Sequence, residues 1–157
     1  MCCKMLSIIS TSLLLLMSTL AVNSNSPLAH GFGDNINWKS LQDGLASAKL
    51  SQKPVMVLIH KSYCPACHEL SPQFAASKEI ADRASNFEMV NIFDDEEPED
   101  VKYAPDGDYV PRILFFHSNG EFQSQIFNPK SSTKYRHYYY DAPNIVNAMD
   151  AALKKQA

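Results

Sequence analysis

The chain has 157 residues, 45% of them hydrophobic and 20% charged, with a formal net charge of −3 at neutral pH. That length fits one domain around one core, and the mild acidity argues against nucleic acid as a partner. The four cysteines fall into an early pair and a central pair, and a multi-bridge scaffold is excluded once a leader carrying the early pair is removed.

Residues 1–24 read as a signal peptide. Lys4 gives the positive start, Leu6 to Ala21 an apolar run densest from Leu13 to Met17, and Ala21 or Ser24 a small residue for cleavage. As a retained anchor the run is too broken by Ser7, Ser10, Thr11, Ser12, Ser18 and Thr19, because a span needs about 20 predominantly apolar residues. Cleavage removes Cys2, Cys3 and Lys4, moves the net charge from −3 to −4, and leaves Cys64 and Cys67 in a single domain over 25–157. No membrane partner is expected after cleavage. An isolated pair on an oxidising route reads as working chemistry, since so short a disulfide loop constrains little chain.

Pro27 to Ile36, rich in Gly, Asn and Pro, reads as an extended or loosely ordered arm without chemistry. Trp38, Leu41, Leu45 and Ala48 recur at helical spacing behind Asn37, which predicts a helix from about Trp38 to Leu50 capped by Asn37, with Trp38 as a core anchor. Pro54 ends the connection. Val55 to His60 is apolar and branched without alternation, as a strand covered on both faces requires.

The strand feeds Cys64-Pro65-Ala66-Cys67. Residues i and i+3 lie one helical turn apart, so the two sulfurs can close a small disulfide and reopen it. With Cys64 at the N-cap, the free N–H groups of the first turn and the helix dipole favour the thiolate. Such placement lowers a cysteine pKa from about 8.5 to roughly 3.5–7.5. Pro65 suits the first helical position, where its missing N–H costs nothing.

A helix from about Cys64 to Ala84 follows, with Leu70, Phe74 and Ala81 buried, Glu69, Lys78 and Glu79 in water, and a kink at Pro72. Glu88 to Phe93 reads as the next strand, giving β-α-β and a parallel pair. Asp94 to Asp100 and on to Asp108 reads as a solvated acidic loop, without the spacing of a calcium loop. Arg112 to His117 is a strand, Ser118-Asn119-Gly120 a turn, and Glu121 to Phe127 the returning strand of a hairpin. Tyr135, Tyr138, Tyr139 and Tyr140 crowd a further extended piece and suit packing. Asp141 or Asn144 caps a last helix whose apolar face is Ile145, Val146, Met149 and Leu153.

This order of elements, with Cys-x-x-Cys at a helix start, resembles the thioredoxin fold: α/β, a mixed central sheet flanked by helices. Pro72 matches that family's kinking proline and Pro111 its cis-proline. By the resemblance the Val110-Pro111 bond is cis and faces Cys64, leaving the Val110 backbone free to pair with an extended substrate segment. The likeness extends to thioredoxin domain-containing protein 12 and the anterior-gradient family of the endoplasmic reticulum. It is carried by Gly31 to Asp34, Asp43-Gly44, Ile59 to Ser62, Asp95 to Pro98, Pro105 to Gly107 and Pro111 to Phe115. The family implies thiol–disulfide exchange on disulfide-bearing secretory-pathway clients, with glutathione as electron partner and no bound cofactor. Relatives with a single active cysteine imply instead a module that holds clients without turning them over.

The chain departs from the family pattern at named positions. Pro65 stands where the family has glycine and Tyr63 where it usually has tryptophan, and both positions tune potential and access. Leu58 occupies the place of the buried acid of general thioredoxins, so proton transfer to Cys67 is expected either to be slower or to use Lys61 or His60 instead. The ending Lys154-Lys155-Gln156-Ala157 is not a retrieval tetrapeptide, so the expected location is the reticulum lumen or outside the cell.

The expected mechanism is attack by the Cys64 thiolate on a client disulfide, resolved by Cys67. Lys61 is a candidate for stabilising the thiolate, and Val110, Pro111 and Tyr63 for substrate contact. Reduction or isomerisation is favoured over oxidation by the family alone. Cys64 to His68 also spells a c-type haem attachment motif with His68 as axial ligand. Zinc would need a second ligand pair beyond His60 or His68. No metal is expected.

Overall fold

The structure, a computed structural model, describes residues 26–155. The expected leader over 1–24 lies outside them. Among the described residues no helix is long and apolar enough to cross a membrane.

The arm before Asn37 is ordered, against expectation. The N–H groups of Ala29 and Phe32 donate to the carbonyls of Ser26 (3.0 Å) and Ala29 (2.8 Å), and Ala29, Phe32 and Ile36 are buried in the core. Its Gly and Pro residues serve turns that fold apolar side chains under the sheet.

The expected helix start at Trp38 is also corrected. Trp38–Lys39 (β1) is a short strand, and the helix runs over Leu41–Ser51 (α1). Ser40 caps it, its Oγ accepting from the Asp43 N–H at 3.2 Å. Helical spacing misled here because Trp38 packs on the opposite side of the sheet from Leu41, Leu45 and Ala48. Trp38 is a core anchor, and its indole N–H donates to the Gly33 carbonyl at 3.1 Å.

Val55–His60 (β2) is buried along its whole length, as the unbroken apolar run requires. The long helix after it is two helices, Pro65–Ala76 (α2) and Lys78–Ala84 (α3). Pro72 sits inside α2, and the Ser71 hydroxyl lies 3.4 Å from the His68 carbonyl, the acceptor that proline leaves without its N–H partner. The interruption falls at Ser77, whose extended backbone ends α2 and whose Oγ accepts from the Ile80 N–H to start α3. Ile80, not Ala81, supplies the buried side chain there.

Glu88–Phe93 (β3) and Arg112–Phe116 (β4) complete a sheet of order β1-β3-β2-β4. β1 and β2 run parallel to β3, whereas β4 is antiparallel to β2. The returning hairpin strand is absent: Phe116 and Phe122 form a single bridge, and Ile126 N–H closes a turn onto Gln123. The chain leaves the sheet there because Phe122 packs on the α1 side while Ile126 packs on the other, so it must pass around the edge. The tyrosine-rich piece is mostly turns, tied to β4 by one bridge from Tyr138 to Arg112, and Tyr139 is its core residue.

Asp141 caps Ala142–Lys154 (α4). The buried face of α4 is Ile145, Ala148, Met149 and Ala152, with Val146 and Leu153 partly covered. The sheet thus lies between α1 on one side and α2 and α4 on the other, a mixed sheet flanked by helices. Both faces of β2 are covered, and its C-terminal end delivers the chain to Cys64.

Candidate active site

Cys64 is the N-cap of α2 and Pro65 its first residue. The turn from Lys61 closes with the Cys64 N–H on the Lys61 carbonyl at 3.2 Å, and the Cys67 N–H donates to Cys64 Sγ at 3.1 Å. Cys64 and Cys67 are joined in a disulfide with their Cα atoms 5.3 Å apart. Cys64 keeps 6% of its surface exposed and Cys67 only 2%. When the bond is reduced, the N–H already aimed at Cys64 Sγ and the α2 dipole both favour a thiolate at Cys64.

The Val110-Pro111 peptide bond is cis. Cys64 Sγ lies 3.7 Å from the Val110 carbonyl oxygen, a van der Waals contact while the sulfur carries no proton. Among the described residues, neither backbone group of Val110 is taken up by another backbone group. Tyr63, 77% exposed, stands just before the dithiol.

Behind this surface a buried charge holds the loop in place. Arg112, 0% exposed, donates to the Glu97 carboxylate, to the Tyr109 carbonyl and, from Nε, to the Tyr103 carbonyl at 3.1 Å. Burial pulls its pKa down to about 10, which leaves it charged at neutral pH. Glu97 also meets Lys61 Nζ at 3.1 Å, and that ammonium donates to the Asp94 carbonyl as well. Lys61, expected beside the thiolate, is thus held by the loop after β3. Asp94 accepts from the Ser62 N–H at 2.7 Å, a bond that keeps its carboxyl below the usual range despite opposing desolvation. The acidic stretch is therefore not merely solvated: Asp94 and Glu97 brace the turn before Cys64.

On the other side of that turn a cleft of about 180 Å³ is lined by His30, Phe32, His60, Cys67, His68 and Phe93 among others. His60 is 3% exposed, and its Nε2 is buried without a protein hydrogen-bond partner. Desolvation lowers its pKa to about 4, with the adjacent Asn91 side chain opposing. His68 is on the surface, its Nε2 2.8 Å from the Ser62 carbonyl. Among the described residues no group of three or more His, Cys, Asp or Glu side chains is placed to hold a metal ion.

A thioredoxin-like family profile matches residues 37–118. Anterior gradient protein 3 of Mus musculus is 36% identical over 129 residues, covering 81% of this chain and 77% of that protein. The Homo sapiens anterior gradient protein 2 homolog is 33% identical, covering 81% and 72%. The chain belongs to the anterior-gradient family.

The solved structure of DsbH oxidoreductase is similar to this anterior-gradient chain in fold, with a TM-score of 0.55 at 20% identity, covering 82% of this chain and 89% of that one. Within the anterior-gradient family, then, this member carries a closed Cys-x-x-Cys pair in a thioredoxin-like fold, the makings of a redox-active thiol centre. The sequence names Cys64, Cys67, Tyr63, Lys61, Val110 and Pro111. Of these, the structure brings Cys64, Cys67 and Val110 together, with Pro111 on the cis bond and Tyr63 at the rim. It adds Asp94, Glu97 and Arg112. Their signal lay in the parallel register: His60 pairs with Phe93, so Lys61 and Asp94 emerge side by side.

Proposed function

We propose that this protein is a thiol–disulfide oxidoreductase acting on disulfide-bearing clients of the secretory pathway, coupled to glutathione as a reductase or isomerase. The observation that carries the reading is the Cys64–Cys67 pair at the head of α2, with the Cys67 N–H on Cys64 Sγ and the Val110 carbonyl 3.7 Å from that sulfur. The Cys64 thiolate attacks a client disulfide, one client sulfur leaves as a thiol, and the other stays bonded to Cys64. Cys67 then attacks Cys64, forming the enzyme disulfide and releasing the reduced client. Two glutathione thiols restore the dithiol and become oxidised glutathione.

Val110 offers its free backbone groups to an extended client segment, and Tyr63 offers an exposed ring beside the entry point. The location, reticulum lumen or outside the cell, rests on the leader read at 1–24 and on the anterior-gradient likeness.

The test is a trap. Full-length Cys67→Ser, expressed in secretory cells, is expected to accumulate client proteins in mixed disulfides that reductant releases, and Cys64→Ser to accumulate none. Clients held equally by all variants, and without covalent bonds, would mean a holding module and not a catalyst.

A further inference from the structure

Exchange of the kind just proposed leaves one proton unaccounted for. When Cys64 is bonded to a client, Cys67 attacks only as a thiolate, and it sits 2% exposed, away from bulk water. A thiol in such a place needs a nearby acceptor. Leu58 is apolar and buried, so that position of β2 offers none.

His60 lies two residues further along the same strand, on the same face as Leu58, because side chains alternate along β2. It lines the roughly 180 Å³ cleft together with Cys67. Its Nε2 is buried without a hydrogen bond of normal geometry, the Asn91 side chain beside the ring notwithstanding, a costly arrangement for a group with no task. Phe32 and Phe93 hold the ring, with centroids at 4.7 and 4.9 Å. A cleft of this size, walled by Ser62, His68 and Ser71 as well as by the imidazole, has room for water to link the imidazole to the sulfur.

We propose that His60 accepts the Cys67 proton across this cleft, resting on the exchange reading above. The proton passes from Cys67 Sγ to the imidazole, the Cys67 thiolate bonds to Cys64 Sγ, and the Cys64–client bond breaks. The client sulfur, reduced, leaves as a thiolate and takes a proton from solvent, to which His60 returns its own.

The groups around His60 fit this transfer. It faces His30 from the arm, His68 and Cys67 from α2, and Asp94 from the end of β3, with Lys61 as its chain neighbour. Lys61 is paired with Glu97. Burial keeps the ring neutral and so free to accept, and a thiolate forming beside it supplies the opposite charge that stabilises the imidazolium.

The experiment uses the reduced full chain and an aromatic disulfide, dithiobis-nitrobenzoate, followed by stopped flow over a range of pH. Attack by Cys64 releases a first coloured thiolate, and attack by Cys67 on the resulting adduct releases a second. In His60→Gln the second release is expected to slow at least about ten-fold at neutral pH while the first changes by less than about two-fold. The pH profile of the second release should also move upward. An unchanged second release, or equal slowing of both, overturns the proposal. Failure of the first release in the wild-type protein overturns the exchange reading instead.

Wild-type protein gives an independent measurement should the variant fold poorly. The His60 ring resonance should show an inflection at the ionisation of Cys67 in the reduced protein and none in the disulfide form. Its absence from the reduced protein also overturns the proposal.

Discussion

Arg112 buries a full charge at the start of β4, and Glu97 is the carboxylate that balances it. Surface ion pairs are worth little, but removing one partner of a buried pair leaves a stranded charge and costs about 3–5 kcal/mol. Glu97→Ala is therefore expected to lower unfolding free energy by about 3 kcal/mol in urea titrations. It should also leave the Lys61 ammonium, which Glu97 shares, on the Asp94 carbonyl alone. A loss under about 1 kcal/mol would mean that Arg112 is held by the Tyr103 and Tyr109 carbonyls alone.

His60 makes a second prediction at the residue scale. Its pKa is about 4 in the folded chain against an ordinary 6.5. Between those values the unfolded chain takes up a proton that the folded one refuses, so stability rises with pH and is lost on acidification from 6.5 towards 4. The size is on the order of 3 kcal/mol. His137, also lowered by burial, contributes in the same direction. The urea midpoint of the wild-type protein should thus fall relative to that of His60→Gln as pH drops through this window. A constant difference would mean that His60 does not titrate there.

Among the elements, α1 lies so close on β3 that a Cβ at Gly44 would come within 2.2 Å of Val90 Cγ2. Helix propensity favours Ala over Gly by about 1 kcal/mol, but overpacking a fully buried side chain costs about 1–3 kcal/mol. Val90 is central to its strand and cannot swing away. Gly44→Ala is expected to destabilise the protein, and adding Val90→Ala should regain part of the loss. A more stable single variant in thermal unfolding would show that the helix can lift. Proline in α2 carries a similar lesson: the helix passes through Pro72, whose carbonyl partner has a neighbouring hydroxyl, and stops at Ser77.

Across the whole molecule the arm before β1 matters more than its composition suggests. Asn91 Nδ2 donates to the Leu28 carbonyl at 2.8 Å and to the Ala29 carbonyl at 3.1 Å, which docks the arm against β3. Phe32 then reaches Phe74 of α2 and His60 of β2, so the arm forms one wall of the cleft behind Cys67. Phe32→Ala should cost about 3–5 kcal/mol by chemical denaturation. If the arm were peripheral, the cost would stay near that of a surface change, within about 0.5 kcal/mol.

Local chemistry was legible wherever one residue type dictates one conformation. The unalternating run from Val55 to His60 specified a covered strand, and a cysteine before Pro65 specified a helix start, because both depend on neighbours a few residues away. Asp141 as a cap and Tyr139 as packing followed similarly. The spacing at Trp38 misleads because periodicity counts intervals and not sides: the three-residue step from Trp38 to Leu41 carries the chain from one face of the sheet to the other. The strand expected over Glu121 to Phe127 failed for a related reason, since its apolar residues serve opposite faces.

By itself, the sequence determined a single buried strand leading to a dithiol at a helix N-terminus, since propensity, capping and spacing are short-range. Only the tertiary structure decided that an acidic loop would clamp Arg112 and Lys61, and that an N-terminal arm would wall a cleft beside His60. Those arrangements depend on which strands lie side by side. A charge or an imidazole acquires its cost and its use from partners dozens of residues away, brought within a few ångströms only once the sheet has formed.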